Sequence, residues 1–187
     1  MVCTTYLEMT SKAQWIRRDR SRTTLDIREC VVKQPRLNRF LYEYVGADWN
    51  WVYRLPWSLE QWRAYVTAEN VRTFVALREA SIAGYYELRR GGEGVEIRSL
   101  GLTPEFIGHG YGGLLLDHAV ETGLDAGVNR VWLHTCTFDH PGALGFYLRS
   151  GFVAYERKIE MVPDPRLDGT LPRDAAPHVP IIEGDRS

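Results

Sequence analysis

The sequence predicts a single α/β (α+β) domain, with a mixed, mostly antiparallel central sheet flanked by helices. Three observations carry this. Apolar and polar residues alternate in several short segments, the mark of half-buried strands. Residues 72–78 and 82–89 are two such segments joined by a three-residue link, which makes a hairpin. After Val95 the order becomes strand, helix, strand, helix, strand, which calls for helices packed on a sheet. The 187 residues are enough for one domain with a substantial core.

Each element has its own warrant. Residues 5–9 alternate as a short strand, and residues 25–31 as a second. Between them residues 12–24 are polar and Arg-rich. The cluster Arg17, Arg18, Asp19, Arg20 and Arg22 reads as a solvated loop. Leu37, Phe40, Leu41 and Tyr44 have helical spacing over residues 37–45, and Gly46 suits the C′ position. An aromatic stretch follows, with Trp49, Trp51, Tyr53 and Trp57 interrupted by Pro56. Ser58 with Gln61 three residues on is a capping box for a helix over 59–66.

The hairpin leads to a glycine turn, Gly91-Gly92-Glu93-Gly94, and a strand over 95–102 that Thr103-Pro104 closes. Alternation puts Glu96, Arg98, Leu100 and Leu102 on one face of that strand and Val95, Ile97 and Ser99 on the other. Gly101 is expected to mark a bulge that splays the strand from its neighbour. A helix runs from near Gly112 to about Ala126, its stripe Leu116, Val120 and Leu124 flanked by Leu115 and Ala119. Asp117, Glu121 and Asp125 should face water, and Gly127 caps the end. Residues 131–135 form a short buried strand on which His134 reads as a satisfied core residue. Pro141 suits the first turn of a last helix carrying Ala143, Leu144, Tyr147 and Leu148, which Gly151 ends. Residues 152–162 are the final strand. Residues 1–162 thus make the domain, and 163–187 a five-proline tail that packs on it or is partly mobile.

Composition narrows the function. A net charge of −1 implies no broad basic field, so neither nucleic acid nor an anionic membrane is an expected partner. Cys3, Cys30 and Cys136 are far apart and odd in number, which argues against a disulfide framework or metal site and for a cytoplasmic location. No signal-peptide pattern opens the chain, and no apolar run reaches the ~20 residues of a membrane span.

The most informative stretch is Ile107-Gly108-His109-Gly110-Tyr111-Gly112-Gly113 at the start of the long helix. Glycines let backbone N–H groups converge without Cβ interference, and a helix N-terminus adds partial positive charge. Together they suit a phosphate. A nucleoside-triphosphate loop would end in Gly-Lys-Ser/Thr, which is absent. Gly108-x-Gly110-x-x-Gly113 matches a dinucleotide fingerprint formally, and Asp139 follows the next strand. The glycines, however, do not begin directly after a first βαβ strand.

From Val95 to Phe152 the chain resembles the GNAT superfamily of acyl-CoA N-acyltransferases. Its loop form, Arg/Gln-x-x-Gly-x-Gly/Ala, is matched by residues 107–112 except that Ile107 replaces the Arg or Gln. A second landmark, Asn-x-x-Ala-x-x-Phe-Tyr-x-x-x-Gly-Phe, is matched from Ala143 through Phe146, Tyr147, Gly151 and Phe152, with His140 in the Asn position. The resemblance implies acetyl-CoA as co-substrate, no metal, and a primary amine of a small molecule or peptide as acceptor. It also admits a homodimer. It assigns Glu96 as general base and Tyr147 as general acid. Leu100, Gly101 and Leu102 would meet the thioester carbonyl and pantetheine. Residues Ile107, Gly108, His109, Gly110, Tyr111, Gly112 and Gly113, with His140, would meet the rest of the cofactor. Arg98, Trp49, Trp51 and Tyr53 are candidates for the acceptor site. The departures at Ile107 and His140 leave a second reading, a non-catalytic acyl-CoA-binding module of the same fold.

Overall fold

Strands joined by short links return antiparallel, whereas a strand that returns through a helix can lie parallel to its predecessor. Both connections occur here. The computed structural model describes residues 1–18, 24–49, 51–92, 94–125 and 127–183. Seven strands form one sheet: β1 (Val2–Met9), β2 (Asp26–Glu29), β3 (Val71–Arg78), β4 (Ser81–Gly91), β5 (Gly94–Leu102), β6 (Val131–Cys136) and β7 (Val153–Glu160). Their spatial order is β2-β3-β4-β5-β6-β1-β7. Every neighbouring pair is antiparallel except β5 and β6. Helices α1 (Pro35–Gly46) and α2 (Leu59–Val66) cover one face; α3 (Tyr111–Asp125) and α4 (Ala143–Leu148) cover the other.

The main core lies under α3. Leu115, Leu116, Ala119 and Val120 pack on Leu7, Met9, Val95, Ile97, Val131 and Leu133, with Leu144 and Tyr147 of α4 at the edge. Local signals hold where they are local. Ser58 accepts from the Gln61 amide and the Gln61 side chain accepts from the Ser58 amide, closing the expected capping box. The β3–β4 link turns through Glu79 and Ala80, both at positive φ, as a tight hairpin requires. In the next turn, Glu93 lies outside the described residues, as do Asn50 of the aromatic stretch and Ala126 at the expected end of α3.

Several expectations fail for tertiary reasons. Asp117 does not face water: it is 0% exposed. Residues 15–18 fold across α3, and the Asp117 carboxylate accepts from Trp15 Nε1 at 3.0 Å and the Arg18 amide at 2.9 Å. Arg18's guanidinium stands 3.7 Å from the same carboxylate, and Arg17 pairs with Glu121. Arg18 is therefore docked, not solvated, while Arg17 keeps an exposed side chain; Asp19, Arg20 and Arg22 lie outside the described residues. Gly46 is the last residue of α1, not a C′ cap, and a Cβ there would lie 2.5 Å from the Trp51 Cβ. In the tail, Arg166 is 4% exposed. It donates to the Ala175, Ala176 and Val179 carbonyls and pairs with Asp164 at 2.7 Å. The Ala176 amide donates to the Asp48 carbonyl at 2.8 Å, so the tail grips the segment leading to Trp49. Among the described residues no helix is long and apolar enough to cross a membrane.

On the α1–α2 face a charged pair is enclosed. Arg54 NH1 donates to Glu87 Oε2 at 2.6 Å, with Arg54 4% and Glu87 0% exposed. Asn38 and the Tyr65 hydroxyl also donate to Glu87. The rings of Tyr65, Trp57, Tyr42 and Trp62 surround the guanidinium. This network fastens residues 51–57 to β4. Arg54→Leu strips the enclosed Glu87 of its counter-ion, and is expected to lower unfolding stability by about 3–5 kcal/mol in urea titration; an unchanged midpoint would show that the pair anchors nothing.

Candidate active site

The site begins with a register break. Leu88 of β4 lies opposite Ile97 and Glu87 opposite Ser99, so Arg98 is an extra residue in β5, a β-bulge. On its other edge β5 meets β6 only at Val95–Val131 and Glu96–Trp132, and beyond these the strands part. The gap opens into a cleft of about 710 Å³. Its walls are residues 97–102 of β5, 133–136 of β6, the glycine turn at residues 107–113, α4, and the aromatic segment.

The bulge was expected at Gly101 and occurs at Arg98. Gly101 serves close packing instead: a Cβ there would lie 2.4 Å from Val45 Cγ1. The bulge also resets the alternation. Val95 and Ile97 face α3, and after the extra residue Leu100 and Leu102 do too, while Gly101 faces α1. Leu100 and Leu102 therefore do not share the face of Glu96.

The glycine turn is open. Gly108 and Gly110 have φ of +86° and +84°, and a Cβ added at either would meet nothing within 4 Å. Ile107, Gly108, Gly110, Gly112 and Gly113 line the cleft where α3 begins, at the helix end whose first amides have no intrahelical acceptor. His109 and Tyr111 do not line it; their rings lie 6.4 Å apart beside it.

Around the point where β5 and β6 part, Glu96 is 4% exposed and does not itself line the cleft. Arg98 lines it and donates to Glu96 Oε1 at 2.9 Å, which settles its partner as the neighbouring acid. His134, expected in the core, is exposed and lines the cleft. The cause is the parting of the strands: Val131 and Leu133 fill the α3 side, and no strand remains beside His134 on the β5 side. Its Nδ1 is 4.0 Å from Glu96 Oε1 and its ring 5.6 Å from that of Tyr6. Desolvation by the protein around the ring holds the His134 pKa below its usual value although part of the side chain is open to the cleft, with Glu96 opposing.

Tyr147 lines the cleft from α4, packed between Phe146 and Phe152. Burial, with Asp139 adding to it, raises the pKa of its phenol. His140 also lines the cleft; its Nδ1 accepts the Gly142 amide at 3.0 Å and its ring meets Trp49 at 5.4 Å. Helix α4 starts only at Ala143, so Pro141 precedes its first turn. Trp49, Trp51 and Tyr53 line the opposite wall, Trp51 wedged between Tyr42 and Tyr85, Tyr53 70% exposed. Sequence reasoning passed over Arg54, Tyr6, Cys136 and Glu160, which also line the cleft. A lone cation among aromatics was a usable signal for Arg54. The others sit on β1, β6 and β7 with no local pattern.

Residues 38–152 match the Acetyltransferase (GNAT) family. A mycothiol acetyltransferase of Sanguibacter keddieii is 34% identical over 134 residues, covering 69% of this chain; the chain spans 40% of that relative's length. A GCN5-related N-acetyltransferase from Sphaerobacter thermophilus superposes with TM-score 0.65 at 18% identity, over 83% of this chain and 49% of its own. The ribosomal-protein-S18-alanine N-acetyltransferase of Escherichia coli gives 0.56 at 16% identity, over 71% and 80%. These two superpositions establish a shared fold.

Gly101→Ala drives a methyl group against Val45, and overpacking of this kind costs about 1–3 kcal/mol. A lowered midpoint in urea unfolding is expected; wild-type stability would mean that α1 yields freely at this point.

Proposed function

The chain belongs to the GNAT acetyltransferase family, and on that footing we propose that it transfers acetyl from acetyl-CoA to a primary amine of a small molecule or peptide. The observation that carries this reading is the gap between β5 and β6 beside the glycine loop of residues 107–113, where Gly108 and Gly110 border open space. The residues present fit coenzyme A. Main-chain amides of residues 107–113 would hold the diphosphate, and backbone amides and carbonyls of Leu100, Gly101 and Leu102 would pair with the pantetheine arm. Binding then rests on main chain, which supports the tolerance of Ile107 where a polar side chain is usual.

Acetyl-CoA supplies the electrophilic thioester; the chain must manage two protons. An alkylammonium has a pKa near ~10 and attacks only when neutral. Glu96 is the base of the transfer. Enclosed and tied to Arg98, it works through a group or water that stands between it and the acceptor. Tyr147 is the acid for the departing thiolate. A phenol is protonated at neutral pH and so has a proton to give; the burial that raises its pKa makes it a weaker donor, which the charge of the thiolate forming beside it must offset. Trp49, Trp51 and Tyr53 form the acceptor wall, aromatic faces suited to an amine borne on an apolar or cationic group.

The test is coenzyme A release with a panel of amines, followed by mass spectrometry of the product. The panel includes aminoglycosides, peptides with N-terminal alanine, and precursors of mycothiol. Tight acetyl-CoA binding with no turnover on any amine would favour a non-catalytic module instead. Gly110→Val forces a β-branched residue to positive φ and into the open face. It should weaken acetyl-CoA binding by about tenfold or more, a tenfold change being ~1.4 kcal/mol, in calorimetry; wild-type affinity would remove the turn from the cofactor site. Glu96→Gln should lower kcat by about 100-fold while acetyl-CoA affinity stays the same; undiminished kcat would remove Glu96 from the chemistry.

A further inference from the structure

We propose that His134 is the side chain that takes the acceptor's proton, with Glu96 behind it to stabilise the imidazolium. The inference rests on the acetyl-transfer reading and names what stands between Glu96 and the acceptor.

The geometry supports it from three sides. Glu96 is enclosed and held by Arg98, whereas the His134 side chain is 38% exposed and faces the cleft. Nδ1 is the nitrogen turned to Glu96, at 4.0 Å; that is too long for a hydrogen bond, and close enough for attraction to grow when the ring gains a proton. Nε2 is then the nitrogen left for the acceptor. The ring leans on Tyr6 of β1, directly opposite in register, which fixes its plane across the cleft.

The charged and titratable groups around the ring are Glu96 and Arg98 of β5, Asp139 after β6, and Tyr6 of β1. Burial and Arg98 lower the imidazole pKa; Glu96 and Asp139 oppose them, and the balance lies below the usual ~6.5. At pH 7 the ring is therefore mostly neutral, the form a general base needs. In the step, the amine nitrogen forms a bond to the thioester carbonyl carbon and its proton passes to Nε2. The C–S bond breaks, and the sulfur takes a proton from Tyr147. The proton on His134 leaves to solvent, and the Tyr147 phenolate recovers one from solvent.

Two measurements test the assignment. The first is the pH dependence of kcat/KM for the amine found by the panel. In the wild type the rate should rise with pH through the His134 titration, below ~6.5, and this limb should vanish in His134→Gln, with kcat about 100-fold lower at pH 7. His134→Asn serves as a second variant should His134→Gln fold poorly. The second needs no acceptor: the His134 ring is titrated by ¹⁵N NMR in the wild type and in Glu96→Gln. Loss of the carboxylate should move that titration to lower pH. A His134→Gln enzyme that keeps its acidic limb and kcat overturns the proposal, and so does a ring titration that Glu96→Gln leaves in place. Failure of the acetyl-transfer reading looks different: the wild type releases no coenzyme A with any amine, while the ring titration still reports on the Glu96–His134 pair.

Discussion

Two residue pairs hold β5 to β6, Val95 with Val131 and Glu96 with Trp132, and then the strands separate. Backbone amides and carbonyls beyond that point lack a strand partner on one edge, and buried main-chain polar groups require one. A ligand carrying amide groups can supply what β6 withholds. The bulge at Arg98 works on the other edge of the same strand. It shifts the alternation, so Leu100 and Leu102 pack on the α3 side while the Arg98 side chain is released toward the cleft. One strand thus has both of its edges interrupted at nearly the same height.

The walls of the cleft are held by interactions made elsewhere. The aromatic segment is clamped by Arg54 and Glu87, an enclosed pair with Asn38 and Tyr65 completing its hydrogen bonds. The tail reaches the start of the same segment through the bond from Ala176 to Asp48, organised around the enclosed Arg166. On the opposite side Asp117 and Arg18 bind the N-terminal segment over α3 next to the glycine turn. Enclosed charges contribute little when paired and cost several kcal/mol when left alone. Their effect here is to make displacement of these walls expensive.

Charge at the point of divergence is arranged in layers. Arg98 neutralises part of the field of Glu96, and His134 lies between the carboxylate and the open cleft. Tyr147 stands on the far wall with its phenol kept protonated by burial. His134 and Tyr147 both line this cleft, together with the charged side chains of Arg98, Asp139 and Arg149.

The sequence by itself determined what depends on neighbours in the chain. The strand and helix order, the Ser58–Gln61 box, the hairpin at Glu79 and Ala80, and the glycine turn all follow from periodicity and backbone preference within a few residues. Family membership was legible because its landmarks, Gly108 to Gly112 and Ala143 to Phe152, are short and local. Only the tertiary structure decided the rest. Alternation counted along β5 alone could not locate a bulge, because a bulge is defined against the partner strand, and so Leu100 and Leu102 were placed on the wrong face. Asp117 looked like a solvated helix residue until residues 15–18 covered it, and His134 like core until β5 moved away. Each of these outcomes is set by contacts between separate segments, which pattern within a segment does not encode.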